Sequence, residues 1–258
     1  MKGFVSAIRT LTSFPVTGRE GEEIASSIPW FPVVGLALGL ILFGIGHVCT
    51  LFPFGRWDAG GALLMVGAGI WLTRGLHLDG LADWADSIGG YYDRDKRLAI
   101  MKDVYLGAFG VLALILVLTA KWIAFERLLS SGTLIWIPVV FVISRGMMAE
   151  LITTLPYARK IDQGMAGPFI EGASGRHRLI SLFLSLVFTL PFGPLGPVFF
   201  GLAALMTWLF KRRCRYRFGG ITGDLLGTAN EMVEVSLLFI CALPGKSILC
   251  YTGWTWLF

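Results

Sequence analysis

Three aspartates with the spacing of helix turns lie in a stretch without positive charge. Asp79, Asp83 and Asp86 occupy positions i, i+4 and i+7, so an α-helix places them along one face. Carboxylates on one face repel each other, and a cation offsets that repulsion. Hard oxygen ligands select Mg²⁺, Mn²⁺ or Ca²⁺, and Mg²⁺ usually completes its shell with water and substrate phosphate. The spacing therefore predicts a Mg²⁺ site for a phosphorylated substrate, with a solvated charged loop as the alternative.

Residues on either side of this triad extend the candidate site. His77 is predicted to be a base or a ligand, or else a hydrogen-bonded structural histidine. Asp93 either completes the metal site or caps the helix that follows. Lys102 is suited to hold a phosphate as a point charge, next to Asp103. The candidate catalytic residues of this stretch are His77, Asp83, Lys102 and Asp103.

A second polar segment lies near the carboxyl end of the chain. Glycines 219, 220 and 223 precede a predicted helix, where backbone N–H groups can bind phosphate. Asp224 is a metal ligand or the N-cap of that helix. Glu231 shares a helix face with Asp224 and lies about two turns into the membrane, where carboxylates are usually functional. The complete set of predicted metal ligands is Asp79, Asp83, Asp86, Asp93, Asp224 and Glu231.

Two arginines and the glycine segment are the predicted phosphate ligands. Arg145 lies inside an apolar run and either pairs with a buried glutamate, Glu231 or Glu234, or binds a substrate phosphate. Arg159 follows the end of that run. The complete set of predicted phosphate ligands is Arg145, Arg159, Gly220, Thr222 and Gly223.

The composition indicates a polytopic membrane protein with an all-α fold. Of the 258 residues, 55% are hydrophobic and 15% are charged, where a soluble domain carries about 25% charged residues. Several apolar runs reach the ~20 residues that cross a ~30 Å hydrocarbon layer. The four cysteines show no CxxC spacing, which argues against a disulfide framework and a zinc site.

The predicted organisation is one membrane-embedded catalytic domain over residues 1–258. Residues 1–28 contain an interfacial helix and a solvated linker at 20–23, and residues 74–106 form an acidic cytoplasmic segment. The apolar run 179–210 is too long for one span, and its prolines break it into two. About seven transmembrane helices result, at 29–54, 59–73, 107–129, 133–153, the two halves of 179–210, and 225–243.

Basic residues set the predicted orientation. Most of the 22 lysines and arginines lie in four segments, which places those segments in the cytoplasm. The aspartate stretch then faces the cytoplasm, and Lys121 lies in the outer part of the third span. The four segments are 1–28, 74–106, 155–178 and 211–224.

Motifs along the whole chain resemble the adenosylcobinamide-GDP ribazoletransferase family, also called cobalamin (5′-phosphate) synthase. The most specific motif is HLDGLADWAD at 77–86. Trp84 departs from the family pattern, which has a small or hydroxyl residue there, but it removes no ligand. The other matching segments are LTSFPV at 11–16, DR at 93–94, IMKD at 100–103, GAFG at 107–110, PYAR at 156–159, and GGITGDLLG at 219–227 with Glu231.

The resemblance implies a multi-pass, Mg²⁺-dependent enzyme of the bacterial cytoplasmic (inner) membrane. α-Ribazole, or its 5′-phosphate, would displace GMP from adenosylcobinamide-GDP, giving adenosylcobalamin or its 5′-phosphate. This reaction is the last assembly step of the cobalamin nucleotide loop. The expected partners are these substrates and the lipid bilayer, with no nucleic acid. A homo-oligomer stays an open alternative.

Two rival functions are weaker. A CDP-alcohol phosphotransferase has Asp-Gly followed by Ala-Arg at fixed spacing, whereas Asp79 and Gly80 are followed by Leu-Ala-Asp-Trp. A cation transporter places its polar site near the membrane midplane. Here the polar residues cluster at one predicted membrane face.

Overall fold

The computed structural model describes residues 2–17, 24–51, 55–159, 164 and 166–254. Within these residues the chain forms eleven α-helices and no β-strand, which confirms the all-α prediction. The linker predicted at 20–23 lies outside the described residues. The helices are α1 (Lys2–Leu11), α2 (Phe31–Thr50), α3 (Asp58–Thr73), α4 (Leu76–Ile88), α5 (Arg94–Ile100), α6 (Ala108–Ser131), α7 (Trp136–Thr154), α8 (Gly167–Glu171), α9 (Gly175–Thr189), α10 (Leu195–Phe218) and α11 (Gly223–Ala242).

The predicted count of seven transmembrane helices is not confirmed. Among the described residues, four helical stretches are long and apolar enough to cross a membrane: Ile24–Thr50, α6, α7 and α11. A fifth results if α3 and α4, which meet at 91°, form one broken span. The helices α3 and α9 have 16 and 15 residues, fewer than the ~20 that a full span needs. The predicted break inside 179–210 is confirmed, because α9 ends at Thr189 and α10 begins at Leu195.

The core of the bundle is α7, which is buried along most of its length. Helix α2 packs closely against it through two glycines. A Cβ atom at Gly35 would overlap the carbonyl of Phe141, and one at Gly39 would lie 2.6 Å from the Cα atom of Pro138. Small residues at such crossings let two backbones approach and gain dispersion contacts, which drive helix association in lipid.

A sharp turn sends the chain from α3 into α4. Arg74 and Gly75 both have left-handed backbone conformations, with φ of 55° and 65°. The Arg74 side chain donates hydrogen bonds to the carbonyl oxygens of Arg9 and Thr12, at 2.6 and 2.7 Å. The end of α1 therefore stabilises the turn that sets the direction of the aspartate helix.

Helix α4 lies against α11 with almost no side chain between the two backbones. A Cβ atom at Gly80 would lie 2.6 Å from the carbonyl oxygen of Asp224, and one at Gly227 would lie 3.0 Å from the Cα atom of His77. The Thr228 hydroxyl donates a hydrogen bond to the Gly80 carbonyl at 3.0 Å. This glycine contact brings residues 79–83 next to the start of α11.

Candidate active site

The structure brings aspartates of α4 and α11 together. Asp79 is exposed, while Asp83 and Asp224 are half-buried. The negative charges of Asp224, Asp79 and Asp86 all act on Asp83, and the positive charge of Arg159 opposes them. Two segments about 140 residues apart in the sequence thus form one acidic site.

Arg159, in the loop that follows α7, contacts this acidic site. Its Nη2 atom lies 2.9 Å from Oδ2 of Asp224 and also donates to the Met101 carbonyl at 3.2 Å. The loop is fixed by backbone pairing: Ala158 N donates to the Ile221 carbonyl, and Ile221 N donates to the Pro156 carbonyl, both at 2.9 Å. Arg159 is therefore held at the start of α11 by main-chain contacts.

The glycine segment before α11 has local structural roles in this structure. Thr222 is the N-cap of α11 and accepts a hydrogen bond from Leu225 N at 3.3 Å. Gly220 lies so close to the Pro156 carbonyl that a Cβ atom would overlap it. Gly223 is exposed at the first turn of α11. Phosphate binding by Gly220, Thr222 and Gly223 stays a prediction.

Asp86, the third aspartate of α4, contacts the start of α6. Its carboxylate oxygens accept hydrogen bonds from Gly107 N at 2.7 Å and Gly110 N at 2.8 Å. These donors belong to the first turn of α6, where backbone N–H groups lack helical partners. Asp86 thus joins α4 to the start of α6, and its predicted role as a metal ligand stays a prediction.

Two further acidic residues of the cytoplasmic segment hold turns. Asp93 is the N-cap of α5 and accepts a hydrogen bond from Lys96 N at 2.8 Å, which is the capping alternative. Asp103 accepts a hydrogen bond from Tyr105 N at 3.2 Å. Both are exposed, as is Lys102. Metal binding by Asp93 and the catalytic roles of Lys102 and Asp103 stay predictions.

His77 lies deeper than the aspartates and is almost fully buried. Its Nδ1 atom is 2.9 Å from Nδ2 of Asn230, while its Nε2 atom has no hydrogen-bond partner among the described residues. Asn230 was not among the predicted site residues. An amide two turns into an apolar helix is the signal that could have found it.

Arg145 and Glu231 belong to a separate, buried ion cluster. Lys121 Nζ lies 2.6 Å from Glu231 Oε2 and 2.7 Å from Glu234 Oε1, and Arg145 Nη1 contacts the other oxygen of Glu234. Arg145 thus pairs with a glutamate, one of the two alternatives.

Lys121 is a member of this cluster that the sequence did not predict, and its expected place in the outer part of its span stays a prediction. Lys121 lies near the middle of α6 and is buried against α11. The physical reason for its burial is the presence of two buried glutamates there, because uncompensated charges inside a bundle are strongly destabilising. A void of about 20 Å³ beside the cluster has room for about one water molecule.

A cleft of about 530 Å³ opens beside the acidic site. Arg159 and Tyr157 both line this cleft. Burial raises the pKa of the Tyr157 hydroxyl. The positive charge of Arg159 opposes this rise, and the negative charge of Asp224 adds to it. The hydroxyl therefore stays protonated and available as a donor at neutral pH. The lining residues are Arg94, Leu98, Ala99, Lys102, Tyr157, Ala158 and Arg159.

Comparison with known proteins decides the family. Residues 3–242 match the sequence profile of the cobalamin-5-phosphate synthase family. The chain belongs to this family. The resemblance carried by the sequence motifs is thereby confirmed, and the chain is an enzyme, a transferase of cobalamin biosynthesis.

Relatives from several bacteria cover almost the whole chain. A protein of Chlorobium phaeobacteroides (strain BS1) is 41% identical over 241 residues, covering 91% of this chain and 95% of its own. One from Chlorobium phaeovibrioides is 40% identical, and the match covers 97% of this chain and 100% of the relative. One from Syntrophobacter fumaroxidans is 39% identical, and the match covers 86% of this chain and 88% of the relative. Each is named adenosylcobinamide-GDP ribazoletransferase, and no solved structure matches the chain significantly.

The acidic site has a donor set that suits Mg²⁺. No group of three or more His, Cys, Asp or Glu side chains converges as a preformed metal site within the described part of the chain. Mg²⁺ does not require one, since it is commonly held by one or two carboxylates together with water and substrate phosphates. Asp79 and Asp83 of α4 and Asp224 of α11 supply carboxylates at the acidic site, so the type of donor fits the ion.

Proposed function

We propose that this enzyme transfers an adenosylcobinamide phosphate group to α-ribazole or α-ribazole 5′-phosphate, with release of GMP from adenosylcobinamide-GDP. The names of its relatives support these substrates. The observation that carries the proposal is the meeting of Asp79 and Asp83 with Asp224, beside Arg159. Carboxylates that hold Mg²⁺ next to an arginine are the groups that displacement at a diphosphate requires.

Asp79 and Asp224 are the proposed ligands of the metal. Asp79 is exposed to incoming ligands, and Asp224 lies one helix across from it. Bound there, Mg²⁺ would supply neutralisation of the charge that grows on the phosphate oxygens. Arg159 adds a positive charge at the same point and holds a phosphate oxygen of the departing group.

Asp83 is the proposed proton acceptor. The ribose hydroxyl oxygen of the acceptor forms a bond to the phosphorus atom that carries the cobinamide, and the bond from that phosphorus to the bridging oxygen of GMP breaks. The hydroxyl proton passes to Asp83, where it reduces the repulsion among neighbouring carboxylates. The electron pair of the broken bond stays on GMP. His77 is too buried to reach the acceptor directly and supports α4 against α11.

The proposed location is the bacterial cytoplasmic membrane, with the site facing the cytoplasm. Two observations support it: the apolar helices and the concentration of basic residues in the segments that flank the acidic site. Soluble, anionic substrates then reach the aspartates from the cytoplasm without crossing the bilayer.

The decisive experiment measures GMP release by the full-length protein in lipid nanodiscs. Adenosylcobinamide-GDP is supplied with α-ribazole, with α-ribazole 5′-phosphate, or with neither. We expect acceptor-dependent release, with the ratio of kcat/KM values identifying the preferred acceptor. Asp83→Asn should lower kcat by at least 100-fold, since general-base removal typically costs that much. Full activity of Asp83→Asn at ordinary Mg²⁺ contradicts the assignment.

Asp58→Asn is the matched control for that substitution. Asp58 starts α3 at the other end of the bundle and pairs with Arg56 at 3.1 Å. The exchange removes one carboxylate charge without touching the acidic site, so kcat should stay within twofold of the unsubstituted enzyme. An equal loss in both variants would show that the effect is not specific to the site.

A further inference from the structure

The cleft beside the acidic site combines positive charge with an apolar wall. Its volume of about 530 Å³ lies within the range of small-molecule sites, about 300–1,000 Å³. Three cations line it: Arg94 of α5, Lys102 after that helix, and Arg159. Leu98 and the ring of Tyr157 form its apolar part. The cations favour an anionic group, and the wall favours a planar organic group attached to it.

Two polar atoms of the lining are buried without partners. The Tyr157 hydroxyl and the Nε atom of Arg159 have no hydrogen-bond partner among the described residues. An unsatisfied buried donor is destabilising, and such groups are uncommon in folded proteins. Both donors belong to residues that line the cleft. We therefore expect a ligand that carries oxygen acceptors to draw these donors toward it.

Arg94 is held in position over the cleft. Its Nη2 atom donates to the Ala158 carbonyl at 3.2 Å, which engages one of the five N–H groups of the guanidinium. The guanidinium lies against Gly219, where a Cβ atom would be 2.7 Å from Cζ of Arg94. Gly219 also has φ of 72°, a conformation that glycine adopts without strain. A residue without a side chain therefore makes room for this arginine.

We propose that this cleft binds a nucleoside 5′-monophosphate group. Arg94, Lys102 and Arg159 hold the phosphate, and the base lies against Tyr157 and Leu98 by the stacking that aromatic side chains offer to bases. This inference rests on the proposed function, whose reaction has two groups of this chemistry: the GMP half of the donor, and α-ribazole 5′-phosphate. The corrinoid is much larger than a nucleotide and lies elsewhere.

The position of the cleft relative to the aspartates supports this assignment. Arg159 lines the cleft and also contacts Asp224 at 2.9 Å. A phosphate held by Arg159 is therefore adjacent to the acidic site. The guanosine of a bound GMP group then points away from the reacting phosphorus, whereas the ribose of a bound α-ribazole 5′-phosphate faces it. The cleft binds the nucleotide while the aspartates act on the bond next to it.

Calorimetric titration of the full-length protein in nanodiscs tests the proposal. The probes are GMP, α-ribazole 5′-phosphate, guanosine and inorganic phosphate, each with Mg²⁺ present. Arg94→Gln should weaken binding of the nucleotide about tenfold, as expected for the loss of a charged hydrogen bond. Tyr157→Phe should weaken it severalfold while leaving the ligand-free thermal midpoint unchanged or higher, because it removes an unsatisfied hydroxyl.

Lys96→Gln is the matched control. Lys96 is an exposed residue of the same short helix that does not line the cleft, so this variant removes an equal charge and should bind nucleotide as the unsubstituted protein does. Sensitivity of GMP binding to Arg94→Gln assigns the cleft to the donor, and sensitivity of α-ribazole 5′-phosphate binding assigns it to the acceptor. Either result supports the proposal.

Three results overturn it. The first is that neither nucleotide binds. The second is that Arg94→Gln and Tyr157→Phe bind nucleotide as tightly as Lys96→Gln does. The third is that inorganic phosphate binds as tightly as the nucleotides. The proposed function is judged separately by acceptor-dependent GMP release. If that activity is present while the cleft variants bind nucleotide normally, the inference fails and the function stands.

Discussion

Adding one methyl group at Gly80 should disable the enzyme by separating its two catalytic helices. In Gly80→Ala, the new Cβ atom would lie 2.6 Å from the carbonyl oxygen of Asp224 and 2.7 Å from its Cα atom. Both are backbone atoms of α11, so no side-chain rotation can relieve the contact. The helices must move apart, and Asp79 and Asp83 move with α4.

The size of the effect follows from the distances. An ordinary contact of about 3.4 Å requires a displacement of about 0.8 Å. A misplacement of about 1 Å costs on the order of 100-fold in rate at a site that depends on orientation. Overpacking also destabilises a protein by typically 1–3 kcal/mol. We therefore expect kcat to fall about 100-fold, with a lower but still cooperative thermal transition.

Gly67→Ala provides the matched control for this prediction. Gly67 lies on α3, and a Cβ atom there meets nothing within 4 Å. The same chemical change should leave kcat within twofold and should not lower the thermal midpoint, since alanine is favoured over glycine in a helix. Acceptor-dependent GMP release and thermal unfolding in nanodiscs are measured for both variants. If Gly80→Ala is as active as Gly67→Ala, close packing of α4 on α11 is not what assembles the site.

Three further outcomes are expected. Lys121→Met leaves two buried glutamates with a single cation and should destabilise the bundle by about 3–5 kcal/mol in thermal unfolding, whereas Arg127→Met, at an exposed site on the same helix, should have little effect. Asp86→Ala removes the hydrogen bonds from Gly107 N and Gly110 N and should destabilise by about 1–2 kcal/mol, which an unchanged midpoint would contradict. Chelation of Mg²⁺ should abolish GMP release and its re-addition should restore it; release that survives complete chelation would rule out a metal requirement.

Local signals made much of α4 predictable. The spacing of Asp79, Asp83 and Asp86 predicted a helix, and the structure has one at Leu76–Ile88. The same periodicity predicted one metal site for all three carboxylates, but it did not predict that Asp86 accepts hydrogen bonds from Gly107 N and Gly110 N at the start of α6. Periodicity describes a single helix, whereas the N–H groups that attract Asp86 come from another helix more than twenty residues later. Such a contact depends on tertiary packing.

Charge inside the membrane was the second signal. Glu231 and Arg145 were recognised as buried groups because charges are rare in apolar helices. Their partners were only partly predictable, since the sequence does not show which helix faces which. Lys121 was assigned to the outer part of its span, and the structure places it beside both Glu231 and Glu234. Two buried acids need two cations, and that balance could have pointed to Lys121.

The number of transmembrane helices depended on how short apolar segments were counted. Residues 59–73 were counted as a short span, tilted or half-buried. In the structure the chain bends by 91° between α3 and α4, at Arg74, and continues as the aspartate helix. The turn relies on hydrogen bonds from Arg74 to the end of α1. No local pattern in the sequence reveals those contacts, because the two segments are more than sixty residues apart.

The most direct test of the shared acidic site is a double-mutant cycle between its two helices. Asp79→Asn, Asp224→Asn and the double variant are compared with the unsubstituted enzyme in acceptor-dependent GMP release at saturating Mg²⁺. Ligands of one metal act as a unit, so each single variant should lose on the order of 100-fold in kcat/KM and the double variant little more. Losses that multiply, or single variants with full activity, would show that Asp79 and Asp224 do not serve one metal.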